Sequence, residues 1–116
     1  MAQSQQTLDE MRGPVQELRQ AIPEVWAAYA DMHRAVVKDG ALSASMKELI
    51  GLAIAVTREC DGCIAAHARG AVRRGASREQ VAEAMGVAVL LNGGPATVWG
   101  PRALAAYDEF AAATQR

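Results

Sequence analysis

The chain has 116 residues, 51% hydrophobic, 4% aromatic and 22% charged, with 12 basic against 13 acidic side chains and a formal net charge of −1. A single domain of this length buries roughly two thirds of the surface its unfolded chain exposes. The balanced charge gives no electrostatic hold on nucleic acid or on an anionic membrane, so neither is expected as a partner.

The opening MAQSQQTLDE is polar and lacks the apolar centre of a signal peptide. The longest unbroken apolar runs, residues 49–56 and 84–91, are eight residues each, against the ~20 that a membrane span needs. The expectation is a soluble, cytoplasmic protein, a setting in which paired thiols serve catalysis or metal binding more often than they staple a fold. With so few aromatics the core must be built from Ala, Val, Leu, Ile and Met, small side chains that let helices approach closely.

Residues 7–21 are amphipathic but contain Gly13-Pro14, which predicts a short leading helix that breaks there. Residues 1–22 then form an N-terminal helical arm within one domain spanning 1–116. Pro23 suits the first turn of a helix running to about Lys38, with Gly40 as its stop. Ser43 reads as an N-cap for residues 44–59, and Ser45 with Glu48 offers a second capping-box register. The run LIGLAIAV inside that segment fits a buried strand as well as a helix, but its length and flanking caps favour the helix. Residues 61–74 follow, stopping at Gly75. Ser77 with Gln80 forms another capping box, for a helix running to about Leu91. Asn92-Gly93-Gly94-Pro95 separates it from a last helix reaching about Ala113, which Gly100-Pro101 should kink or split. The fold class is all-α, with five to seven helices.

Segments 44–59 and 78–91 are apolar nearly all the way round, and such helices must be covered on every side. A small domain does this poorly, which points to a homo-oligomer; the alternative is that they form the central pair of a monomer. Arg69, Arg73, Arg74 and Arg78 are the only basic concentration, and Glu79 and Glu83 beside them favour a solvated helix end.

The chemistry concentrates in RECDGCIAAH, residues 58–67, which holds both cysteines and one of the two histidines. If residues 61–74 are helical, Cys60 lies at the N-cap and Cys63 in the first turn, where unpaired N–H groups and the helix dipole favour a thiolate. His67, four residues after Cys63, shares its face and can take the thiol proton. This makes Cys63 the nucleophile and Cys60 the partner that closes a disulfide. A four-residue disulfide loop constrains little chain, so switching between dithiol and disulfide is a better use of it than stapling. Metal binding is the rival: Cys60, Cys63 and His67 supply three ligands, with His33 the only other histidine. An inert helix is the third reading. Haem attachment is excluded, because Ile64 stands where that motif needs its histidine. Glu48, twelve residues before Cys60, enters an apolar run and needs a hydrogen-bond partner. Capping through Ser45 satisfies it in one reading. In the other it meets His67 across the helix pair, orients the imidazole and relays its proton.

The stretch LSASMKELIGLAIAVTRECDGCIAAHARGAVRRGASREQVAEAM, followed by LNGGPATVW, resembles the alkylhydroperoxidase D branch of the carboxymuconolactone decarboxylase-like superfamily over residues 42–99. The shared pattern is a Glu twelve residues before Cys-X-X-Cys, then X-X-X-His. The resemblance implies an all-α fold assembled as trimers or hexamers, and thiol-dependent peroxide reduction without a cofactor or metal. In that scheme Glu48 and His67 relay a proton from Cys63, which attacks a hydroperoxide and becomes a sulfenic acid. Cys60 resolves it to a disulfide, and an external dithiol, a lipoyl group or a thioredoxin-like protein, restores the pair. A disulfide substrate, redox sensing and a decarboxylase-like reaction are the alternatives within the same resemblance. One position departs from the pattern. The best-known peroxidase members carry a histidine just before the nucleophilic cysteine, where this chain has Gly62, so the site has one donor fewer.

Overall fold

The computed structural model describes residues 3–115, and every one of its ordered elements is a helix. In chain order these are α1 (Gln3–Ala21), α2 (Pro23–Val37), α3 (Ala44–Thr57), α4 (Asp61–Arg73), α5 (Arg78–Asn92) and α6 (Gly94–Ala113). The all-α expectation holds, with six helices around one core.

That core lies among α3, α4, α5 and α6. Leu52, Val56 and Val81 are its largest fully buried side chains, and alanines fill the helix crossings: Ala68, Ala71, Ala96 and Ala103 are completely buried. Small residues at the crossings bring the helix axes close, which compensates in packing for the scarcity of aromatics. Tyr107 is one of the few aromatics used inside, and its hydroxyl donates to the Ala76 carbonyl at 2.6 Å, fixing α6 to the α4–α5 connection.

The caps form as their chemistry dictates. Ser43 Oγ accepts from Met46 N at 3.0 Å, and Ser77 with Gln80 makes the complete reciprocal box. Pro23 opens α2. Gly75, at φ +86°, closes α4 in the left-handed conformation that glycine adopts freely.

Several boundaries differ from expectation. α1 does not break at Gly13-Pro14, and α6 is not split at Gly100-Pro101. Each proline deprives the carbonyl four residues back of its partner, but Glu10 and Thr97, which carry those carbonyls, are exposed, so water can serve them. α2 ends at Val37 without using Gly40: Lys38 turns extended, and Lys47 from α3 donates to the carbonyls of Val36 and Lys38, both at 2.7 Å. The second capping register, Ser45 with Glu48, does not form. α3 stops at Thr57, two residues short of Glu59.

α1 lies against α4 and α6 and is capped from the body, because the Glu109 carboxylate accepts from Ser4 N at 3.0 Å and Gln5 N at 2.9 Å. α2 touches only α1 and α3 and buries none of its own residues. Of the basic group, Arg78 forms a two-pronged ion pair with Asp108 on α6. Arg73 and Arg74 are solvated, as a helix end should be.

Candidate active site

The site begins in the short link between α3 and α4. Arg58 caps α3, Glu59 turns left-handed at φ +54°, and the chain enters α4. Glu59 N donates to Val56 O at 3.1 Å and Cys60 N to Ala55 O at 3.2 Å, the paired bonds of a Schellman ending. Cys60 therefore does two things at once. Its N–H closes α3, and its sulfur opens α4 as N-cap, accepting from Cys63 N at 3.2 Å. A thiolate at this position meets the unpaired N–H groups and the positive end of the helix dipole.

Cys60 and Cys63 are joined in a disulfide, with Cα atoms 5.2 Å apart. Cys60 is half-buried and Cys63 is exposed in the first turn of α4. The expected N-cap and first-turn placement is what the structure has.

One turn further along α4, His67 Nδ1 lies 2.8 Å from Glu48 Oε1. Glu48 is the one buried charged residue among those described, at 8% exposure. A carboxylate only accepts hydrogen bonds, so Nδ1–H is the donor. The neutral ring then keeps its lone pair on Nε2, ready to take a proton. Of the two roles open to Glu48, capping is not the one adopted; the bridge to the imidazole is.

Two glycines make this bridge possible. Gly51 lies three residues after Glu48 on α3, and a Cβ there would come within 2.8 Å of His67 Nδ1 and Cε1. Gly70 lies three residues after His67 on α4, where a Cβ would land on Glu48 Oε2. Each helix thus sends one side chain across and presents a bare backbone to receive the other. These two residues were not singled out from the sequence. The available signal was that a mid-helix glycine costs about 1 kcal/mol against alanine and so calls for a packing reason.

Gly62, where the resemblance expects a histidine, is also closely covered. A Cβ at Gly62 would meet Met11 Sδ at 2.6 Å and Cε at 3.0 Å, so a flexible thioether from α1 occupies the space beside the disulfide. Met11 was likewise not singled out, because its partner lies 51 positions away and neither residue announces the contact.

His33 lies apart from the cysteines, on exposed α2, with its ring 6.5 Å from that of Tyr29. Among the described residues no group of three or more His, Cys, Asp or Glu is arranged to hold a metal ion. An apolar hollow of about 610 Å³ opens between α2, α3 and α4, and Glu48, His67 and His33 all line it. A polar hollow of about 660 Å³ lies between α1, α4 and α6 and reaches Asp61, next to Cys60.

Known proteins place this geometry in a family. The chain is 40% identical over 91 residues to an uncharacterized protein of Cupriavidus necator, covering 78% of this chain and 80% of that one. An uncharacterized protein encoded in the cox locus of Paracoccus denitrificans is 40% identical over 83 residues, covering 72% and 75%. The structure superposes with a TM-score of 0.92 on the crystal structure of an apo carboxymuconolactone decarboxylase family protein from Legionella pneumophila, at 33% identity over 96% of this chain and 99% of that one. Residues 23–113 match the model of the carboxymuconolactone decarboxylase family. That match, over most of the chain and with the fold superposing throughout, makes this chain a member of the carboxymuconolactone decarboxylase family.

Proposed function

We propose that the protein is a thiol-dependent oxidoreductase of peroxidase type, with Cys60 and Cys63 as its redox couple and Glu48 and His67 as its proton relay. The observation that carries this reading is the Cys60–Cys63 disulfide at the N-terminus of α4, one turn before an imidazole held by a buried carboxylate.

In the reduced enzyme His67 Nε2 takes the Cys63 thiol proton, and Glu48 stabilises the imidazolium that forms. The Cys63 thiolate attacks the terminal oxygen of a hydroperoxide. An S–O bond forms, the O–O bond breaks, and the leaving alkoxide takes the proton back from His67 to depart as an alcohol. Cys63 is now a sulfenic acid. The Cys60 sulfur displaces its oxygen as water and closes the disulfide. An external dithiol, of lipoyl or thioredoxin-like type, exchanges with the disulfide and returns two electrons and two protons to the pair. The enzyme works in the cytoplasm and as a homo-oligomer, a trimer or hexamer.

The deciding experiment follows peroxide consumption with a dithiol donor for the wild type, Cys63→Ser and Cys60→Ser. Cys63→Ser should be inactive. Cys60→Ser should consume one equivalent of peroxide and stop with a trappable sulfenic acid. Equal steady-state rates in all three proteins would remove the cysteines from the reaction.

A further inference from the structure

Helix α2 has little packing of its own to hold it in place. It buries none of its residues and touches only α1 and α3, yet it forms one wall of the apolar hollow that Glu48 and His67 line. Tyr29, His33 and Val36 belong to that wall. A single side chain fastens it there. Lys47 Nζ donates to the carbonyls of Val36, in the last turn of α2, and of Lys38, its C-cap, both at 2.7 Å. Among the described residues no other helix sends a side-chain hydrogen bond to α2.

The last carbonyls of a helix have no partner within it and carry the negative end of its dipole. An ammonium from a neighbouring helix supplies both donors and charge, and such charge-assisted bonds are stronger than neutral ones. Arg34, the basic residue in the last turn of α2, pairs instead with Asp31.

Lys47 is followed directly by Glu48. Consecutive helical residues point about 100° apart, so one turn of α3 holds the end of α2 with one side chain and crosses to His67 with the next. The position of α2 and the Glu48–His67 bridge are therefore set from the same place. An apolar surrounding strengthens a hydrogen bond by keeping competing water away. If the end of α2 lifts, the wall opens and water reaches the carboxylate.

We propose that Lys47 is a positioning residue for the proton relay: by clamping the C-terminus of α2 it keeps the hollow closed beside the Glu48–His67 bridge and holds water off it. The proposal deepens the peroxidase reading and rests on it only for turnover, because clamp and bridge are both present in the disulfide form.

The proton on His67 Nδ1 lies in the bridge and reports on its cover. Its exchange with water is followed by NMR in isotope-labelled protein in the disulfide form. Three proteins are compared: the wild type, Lys47→Met, which keeps the stem without the donors, and Lys47→Arg, which keeps donors and charge. The wild type should show a protected Nδ1–H at His67 and no protected ring N–H at the exposed His33. Lys47→Met should speed exchange of the His67 proton and of the last-turn amides of α2 by at least about tenfold, while the core amides of Leu52 and Val81 keep their wild-type rates. Lys47→Arg should stay within about threefold of the wild type.

A wild-type Nδ1–H that exchanges too fast to observe would overturn the proposal, since α2 would then exclude no water. So would a bridge in Lys47→Met that exchanges at the wild-type rate, or an arginine variant no better than the methionine one. Equal acceleration at Leu52 and Val81 would also overturn it, by making Lys47 a source of general stability. In turnover, Lys47→Met should lower kcat for hydrogen peroxide about tenfold and leave KM within about twofold, with Lys47→Arg recovering most of the loss. An unchanged kcat beside an accelerated bridge would take the clamp out of the reaction. If no form consumes peroxide, the peroxidase reading falls while the exchange rates still decide the clamp.

Discussion

At the scale of single residues, the site depends on two positions that carry no side chain. Gly51 and Gly70 let Glu48 and His67 cross between α3 and α4, and a methyl group at either position must displace the bridge. Gly70→Ala should therefore destabilise the protein by about 1–3 kcal/mol, the usual range for overpacking, even though alanine is the better helix former. Gly86 on α5 is exposed with nothing within 4 Å of a built Cβ, so Gly86→Ala should stabilise by up to about 1 kcal/mol. Denaturant midpoints of the two variants, measured side by side, check the argument; midpoints moving the same way would refute it. The bridge itself is tested by Glu48→Gln, which keeps the shape but cannot hold an imidazolium. If the relay operates, peroxide turnover should drop by about 10²-fold while the disulfide still forms with a strong oxidant, as a thiol assay would show. In the sequence the Glu48–His67 contact was legible as one of two alternatives, because an acidic residue entering an apolar run demands a partner. The glycines that receive it were not legible, because a mid-helix glycine says that something approaches without saying what.

At the scale of elements, the link between α3 and α4 matters most, because it joins two helices with three residues and sets Cys60 at the junction. The same Schellman geometry closes α4, where Gly75 occupies the left-handed position, and Ala76 N and Gly75 N return to Ala71 and Val72. The α3 version puts Glu59 there instead, a conformation that disfavours a residue with a Cβ by roughly 1–2 kcal/mol. Glu59→Gly should accordingly raise stability by about 1 kcal/mol, read as a higher unfolding midpoint; an unchanged or lower midpoint would show that the link is unstrained. The cap on α4 gives a second test. Under reducing conditions Cys60→Ser retains an N-cap acceptor and Cys60→Ala does not, so the serine variant should be more stable by about 1 kcal/mol. Equal unfolding midpoints for the two would mean that the sulfur contributes nothing as a cap. This pair of connections also shows why boundaries were only partly legible. Gly75 announces its turn, whereas Glu59 adopts the same φ region without a residue type that signals it. Pro14 and Pro101 announced breaks that exposure to water makes unnecessary, since the carbonyls they leave unpaired lie on solvated helix faces.

At the scale of the whole molecule, many large apolar side chains remain exposed on the single chain. Leu90 and Leu91, adjacent near the end of α5, are each 80% exposed, and Val87 and Val98 lie 56% and 54% exposed on α5 and α6. α2 carries a further apolar face and is attached to the body at its ends, by the chain through Ile22 and by Lys47. The radius of gyration, 14.5 Å, exceeds the ~13 Å expected of a compact chain of this length, as a helix that packs on one side only would cause. α3 and α5, nearly uniformly apolar in sequence, follow from this arrangement: each buries one face in the core and leaves another, with Ile54 on α3 and Leu90 on α5, open to solvent. Exposed large apolar side chains in this number are what a second copy would cover, which supports the proposed homo-oligomer. Sedimentation equilibrium should give three or six times the 12.3 kDa chain mass. A Leu90→Glu/Leu91→Glu double variant should shift that mass towards 12.3 kDa while keeping its helical circular dichroism, because both side chains lie outside the core and a charge there costs the separate subunit little. A wild type that sediments as the single chain would leave the leucines to some other partner. An assembly unaffected by the two glutamates would place the subunit contact elsewhere, with α2 the next face to test.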